Sequence, residues 1–198
     1  MKTDKPTTKI IAGKYKGKVL ELPSLEVTRS SKAMLKESLF NVLQFDIIDK
    51  IFIESFAGSG SIGLEAISRG AKRAYFIELD KNSYQILLRN CKSVDMEKCQ
   101  TVQGNTFVQT PLFIDFLKNS KDEIVLYVDP PFDYRDGMED IYEKSFSMIQ
   151  NIEVDNIYMV IVEHVSSLEV PEILGKFSLN KTKKFGKSAL SYYSYTQE

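Results

Sequence analysis

From Lys50 onward, short apolar runs alternate with segments of helical periodicity. Strands are predicted near 50–56, 73–79, 100–103, 124–129 and 157–163, and helices near 61–69, 81–94, 106–118 and 138–150. Ile51-Phe52-Ile53 and Ile124-Val125-Leu126-Tyr127-Val128 are apolar without alternation, as suits strands of a sheet covered by helices on both faces. Repeated βα order built on such strands predicts a doubly wound, mostly parallel α/β sheet. The order changes at the end, where 177–184 and 188–195 read as two strands joined around Phe185-Gly186-Lys187, an antiparallel hairpin. Ahead of the alternation, residues 9–22 set two apolar runs around a Gly/Lys turn, a first hairpin. Leu35, Leu39, Val42 and Leu43 then recur at helical spacing to about Gln44. A chain of 198 residues has room for about one domain, here expected as a hairpin-and-helix extension over 1–45 and a core over 46–198.

The first predicted strand of the core runs into Phe56-Ala57-Gly58-Ser59-Gly60-Ser61-Ile62-Gly63, a G-x-G-x-x-G sequence at a strand-to-helix junction. Glycines there let backbone approach a ligand, and the helix N-terminus offers unpaired N–H groups to an anionic one. Glu78 follows Gly58 by 20 residues, at the end of the next strand, where its carboxylate can accept both hydroxyls of a ribose. Asn105, after the third strand, is a candidate for an adenine edge. These features suit NAD as well as S-adenosylmethionine. The plainer alternative is a turn that only packs helix against strand.

Asp129-Pro130-Pro131-Phe132 follows the apolar fourth strand, at the carboxyl edge where open α/β sheets bind their ligands. An exocyclic amino nitrogen on a base is a poor nucleophile, because its lone pair is delocalised into the ring. Two acceptors, the Asp129 carboxylate and the Pro130 carbonyl, can each take one of its N–H groups and leave the lone pair aimed at a methyl donor. The prolines Pro130 and Pro131 restrict the backbone, and Phe132 offers a stacking face worth about 1–3 kcal/mol per base. Such transfer needs neither a metal nor a covalent nucleophile. A dehydrogenase would keep the glycine loop and gain nothing from this tetrapeptide. A non-catalytic RNA-binding module would need neither it nor Glu78.

The net charge is −1, which looks wrong for a nucleic-acid partner until it is divided along the chain. Residues 1–20 carry net +5 and residues 176–187 another +5, leaving −11 for the rest. Two basic segments beside an acidic body can form a local phosphate-binding face, with Lys14, Lys16, Lys18, Arg29, Lys184 and Lys187 as candidates. The bland reading is two solvated lysine-rich edges. Cys91, Cys99 and His164 are too few for a Cys/His zinc site or a disulfide framework. His164 has no nucleophile-elbow Ser or Cys beside it and is expected at a strand end or the surface. With no apolar run of membrane-spanning length and no signal-peptide pattern at Met1–Pro6, a cytoplasmic protein is expected.

Several separate segments resemble the RsmD-type 16S ribosomal RNA guanine-N2 methyltransferases. Ile10-Ile11-Ala12-Gly13 with Lys16-Gly17-Lys18 is similar to that family's opening hairpin, and Glu37 with Leu39-Phe40-Asn41 to its first helix. Phe56-Ala57-Gly58-Ser59-Gly60 with Gly63-Leu64-Glu65-Ala66, then Glu78 and Asp129-Pro130-Pro131-Phe132, are similar to its cofactor loop and active site. Gly186 and Tyr193 fit its closing hairpin. Arg29-Ser30-Ser31 stands where the family commonly reads Arg-Pro-Thr, and Ala33-Met34 where it carries an acidic-basic pair. The resemblance implies a Rossmann-like class I methyltransferase with a seven-stranded sheet and an N-terminal hairpin extension. It also implies S-adenosyl-L-methionine as cofactor and a guanosine of 16S rRNA, in the small ribosomal subunit or an assembly intermediate, as target. A monomer without metal is expected, and N6-adenine methylation of DNA is the nearest rival chemistry.

Overall fold

The structure, a computed structural model, describes residues 6–23, 29–131 and 140–196. The hairpin β1 (Thr7–Lys9) and β2 (Val19–Glu21) is followed by α1 (Arg29–Leu43). The core then alternates through β3 (Ile51–Ser55), α2 (Ser61–Ser68), β4 (Arg73–Glu78), α3 (Lys81–Val94), β5 (Cys99–Gln103), α4 (Thr106–Leu117), β6 (Ile124–Val128), α5 (Ile141–Gln150) and β7 (Ile157–Val165). It ends in β8 (Ile173–Leu174), β9 (Phe177–Phe185) and β10 (Ser188–Tyr195).

The main sheet has the order β5-β4-β3-β6-β7-β10-β9-β8. Strands β5 to β7 are mutually parallel, and β10 pairs antiparallel with both β7 and β9. The expected seven strands are all in this frame. The eighth, β8, is an addition of two residues paired to Phe177 and Ser178, too short for any periodicity to reveal it. Phe52, Phe76 and Tyr127 point into one core beneath α1, α2 and α3, while Ile53, Ile77 and Leu126 point into the other beneath α4 and α5. Consecutive residues of β3 and β6 therefore need apolar side chains on both faces, which accounts for their unbroken apolar runs.

The N-terminal hairpin is fastened to α2 and α3. Fully buried Glu65 on α2 accepts the backbone N–H groups of Ile11 at 2.8 Å and Ala12 at 3.0 Å, and pairs with Arg69 and with buried Lys36 of α1. Asn90 on α3 joins Glu21 to the loop after β3, its amide donating to the carbonyls of Glu21 at 3.0 Å and Ser59 at 2.9 Å. Among the described residues, no helix is long and apolar enough to cross a membrane.

Candidate active site

The sheet order reverses between β3 and β6: from β3 the chain moves to β4 and β5 on one side, then returns to add β6 on the other. The crevice at their carboxyl ends is where such sheets place ligands. There, Phe56, Gly58, Glu78, Asn105, Asp129 and Pro131 line a single cleft of about 1520 Å³. Residues from four separate segments are thus brought together. Phe132 lies outside the described residues.

The loop after β3 turns sharply, with Phe56 at φ +63°, Gly58 at +55° and Gly60 at +74°. Its three glycines serve two purposes. A Cβ on Gly58 would meet nothing within 4 Å, so this glycine leaves open space beside its backbone. A Cβ on Gly60 would come within 2.4 Å of Leu87, and one on Gly63 within 2.4 Å of Phe76, so those two permit close packing of α2 and α3 on the sheet. Ala57 and Ser59 are buried behind the cleft wall. The Ala57 N–H donates to the Ile77 carbonyl, and the Ser59 carbonyl accepts from Asn90.

Glu78 is braced from both sides. Its Oε2 accepts the Gly58 N–H at 2.6 Å and its Oε1 the Asp80 N–H at 2.7 Å. Each carboxylate oxygen retains a second lone pair for a ligand hydroxyl. Burial raises its pKa, and the backbone N–H groups work against that rise. Asn105 caps α4, its Oδ1 accepting the Phe107 N–H at 2.9 Å, which leaves the amide NH₂ as the group it can offer a ligand. Phe107 meets Phe56 edge-on at 5.7 Å between ring centroids. The backbone N–H of Asp129 donates to the Ser55 carbonyl at 3.3 Å, tying the start of the tetrapeptide to the end of β3, and Pro130 is buried.

A family model described as conserved hypothetical protein 95 matches residues 8–194. Ribosomal RNA small subunit methyltransferase D of Haemophilus influenzae is 38% identical over 133 residues, 66% of this chain and 66% of the relative. The Escherichia coli protein of the same name is 29% identical over 187 residues, 93% of this chain and 88% of its own length. The chain belongs to the RsmD family. A solved structure of the candidate methyltransferase yhhF from Escherichia coli superposes on this RsmD-family chain with TM-score 0.72 at 28% identity, covering 98% of this chain and 100% of the other.

The five lysine candidates of this RsmD-family chain do not share one face. The β9–β10 turn, with Lys184 and Lys187, lies at the carboxyl edge: Ala189 pairs with both Lys184 and His164, and the Lys187 carbonyl accepts the Ser166 N–H at 2.8 Å, just past β7. Arg29 is the first residue of helix α1. Lys14, Lys16 and Lys18 are elsewhere. Their turn is fixed to Ser68, in the last turn of α2, which puts it at the amino edge behind the cleft.

Two buried groups escaped sequence reasoning. Glu54 precedes the glycine loop, is 3% exposed, and accepts the Gly63 N–H at 2.8 Å. Burial pushes its carboxyl up to about 8, with the nearby Asp129 charge adding to the rise. The available signal was an acidic residue inside an apolar strand. His164 is at a strand end, the first of the two expected alternatives, as the penultimate residue of β7, but it is buried rather than at the surface: it is 1% exposed, with Nε2 2.8 Å from the Ser191 hydroxyl and Nδ1 2.9 Å from the Val165 carbonyl. Burial lowers its pKa, favouring the neutral ring. Strand β10 covers it, which the β7 sequence alone does not reveal.

Proposed function

We propose that this protein transfers a methyl group from S-adenosyl-L-methionine to the exocyclic N2 of a guanosine in 16S rRNA, in the small ribosomal subunit or an assembly intermediate, in the cytoplasm. The observation that carries the reading is the convergence of Gly58, Glu78, Asn105 and Asp129 on one cleft at the switch point of the sheet. Membership of the RsmD family supports the ribosomal substrate, since the named relatives are small-subunit rRNA methyltransferases.

The cleft fits the cofactor. Open space beside Gly58 admits a ligand against the backbone, and the free lone pairs of the braced Glu78 suit ribose hydroxyls. The Asn105 amide suits a ring nitrogen of the adenine. Phe56 and the backbone of the loop from Ala57 through Ser59 and Gly60 complete this side. When bound, the cofactor supplies a methyl group on a positively charged sulfur. On the other side, the Asp129 carboxylate and the Pro130 carbonyl accept the two N–H groups of the guanine N2, and Phe132 stacks on the base. Asp129 also takes the proton released on transfer. Pro130 and Pro131 hold these acceptors in place, and no step calls for a metal. Arg29 and the lysines contact phosphates.

Incubating the protein with methyl-labelled S-adenosylmethionine and, separately, 16S rRNA, small subunits and DNA tests this reading. Nucleoside analysis should find label in N2-methylguanosine from the ribosomal substrates. Label in N6-methyladenine of DNA, with none in rRNA, would overturn it.

A further inference from the structure

We propose that Glu163, at the carboxyl end of β7, is a positioning residue for methyl transfer: bound by the Tyr127 hydroxyl, its charge lies behind Asp129 and makes Asp129 a stronger acceptor for the target amino protons. The inference rests on the methyltransferase reading above and deepens it, naming a residue that acts on the reacting nitrogen through Asp129.

Placement is the first observation. Strands β6 and β7 are parallel with Val128 beside Val162, so Asp129 and Glu163 come next along the two strands, about one strand spacing (~4.8 Å) apart. Asp129 lines the cleft, whereas Glu163 is 2% exposed and lies behind the cleft wall. The fully buried Tyr127 hydroxyl donates to Glu163 Oε2. Burial, then the Glu163 and Asp129 charges, push the pKa of that hydroxyl well up, so it stays protonated and its hydrogen remains available to Glu163. A hydrogen bond accepted by a carboxylate favours the ionised form.

The surrounding groups are the second. An apolar side chain at 163 would serve the core with no desolvation cost, so a carboxyl there needs a reason other than packing. On the same face of the sheet, burial pushes Glu54 of β3 up to about 8, so it is neutral at pH 7 and adds no competing charge. From α1, Lys36 is committed to Glu65 of α2 at 3.3 Å and to the Lys9 carbonyl. From β10, burial keeps the Tyr192 hydroxyl protonated. His164, next along β7, points to the opposite face, where it bonds to Ser191 and burial favours its neutral ring. Two carboxylates at neighbouring strand positions repel, and the repulsion raises the proton affinity of the one that faces the cleft.

As the nitrogen–carbon bond forms and the carbon–sulfur bond breaks, one N–H proton passes to Asp129. A neutral side chain at 163 would leave Asp129 a weaker base at that moment. Glu163 is not on the Gly58 and Glu78 side of the cleft, so its effect on transfer separates from cofactor binding.

The test measures single-turnover methyl transfer from about pH 5 to about pH 8, on unmethylated 16S rRNA or small subunits, for the parent, Glu163→Gln and Glu163→Asp. Unchanged calorimetric affinity for S-adenosylhomocysteine reports an intact fold in each variant. Asp129 acts when ionised, so the rate falls on the acid side, and in the parent that fall should lie above the ordinary aspartate value of about 3.9. Removing the neighbouring charge in Glu163→Gln should move the acid limb down by about one pH unit and lower the plateau rate about tenfold. Glu163→Asp keeps the charge and should hold the limb within about half a unit of the parent. A Glu163→Gln limb that coincides with the parent's, equal displacement in both variants, or a parent rate that does not fall down to about pH 5 would each overturn the inference and leave the methyltransferase reading intact. A parent that methylates no RNA at any pH would overturn that reading, and this inference with it.

Discussion

Replacing Glu54 by Gln should change how stability depends on pH more than it changes the fold. The carboxyl sits at the end of β3, 3% exposed, and its Oε2 accepts the Gly63 N–H at 2.8 Å, a bond that a Gln carbonyl can reproduce. Burial raises its pKa from 4.5 to about 8 despite the Gly63 N–H, and the Asp129 charge pushes the same way. Between those two values the folded protein holds a proton that the unfolded chain has released. The stability contributed by this group is therefore complete below the unfolded value and is lost as pH rises toward the folded one. At about 1.4 kcal/mol per unit, the loss between pH 5.5 and 7.5 is about 2–3 kcal/mol. Glu54→Gln removes that titration, and neutralising a side chain that is already protonated near neutrality leaves its surroundings in place. Urea unfolding of both proteins at pH 5.5 and 7.5 measures the difference directly. The variant should gain about 2–3 kcal/mol on the parent across that interval. Parallel pH profiles would refute the reasoning, and would mean that Glu54 is ionised in the folded protein.

Three further substitutions probe the loop and the hairpin. Gly60→Ala forces a Cβ to 2.4 Å from fully buried Leu87 at φ +74°, so left-handed strain and overpacking together should cost about 2–4 kcal/mol, read from the urea midpoint. Gly58→Ala has the strain without the clash; it should cost about 1–2 kcal/mol of stability, while S-adenosylhomocysteine binding by calorimetry weakens at least tenfold. Glu65→Ala leaves Lys36 buried without its carboxylate and frees two hairpin N–H groups, a loss of about 3–5 kcal/mol. Limited proteolysis should then cut the 11–18 turn faster than in the parent, and an unchanged cleavage rate would show that Glu65 is not its anchor.

What could be read from the sequence depended on whether the signal was local. The alternation of apolar runs and helical periods gave strand and helix positions to within a few residues, because burial on both faces of β3 and β6 writes itself into consecutive residues. The positions of the glycine loop, Glu78 and Asp129 were legible for the same reason: each falls at a predictable strand end. Long-range contacts were not. Nothing near Glu65 announces that it holds backbone 53 and 54 residues away, and nothing near Lys14 tells that its turn faces away from the cleft. The three glycines look equivalent in sequence, and only the neighbours Leu87 and Phe76 divide them into one that leaves open space and two that permit packing. His164 is hidden by β10, a strand that follows it by more than 20 residues.

The division of labour across the cleft is the central claim, with Gly58 and Glu78 holding the cofactor and Asp129 orienting the target nitrogen. Asp129→Ala separates the two sides, measured as methyl transfer to 16S rRNA alongside calorimetric affinity for S-adenosylhomocysteine. Transfer should fall at least a hundredfold, the usual scale for a positioned proton acceptor, while cofactor affinity stays within about threefold of the parent (under 1 kcal/mol). Full transfer activity in the variant, or loss of cofactor binding in step with activity, would contradict the account.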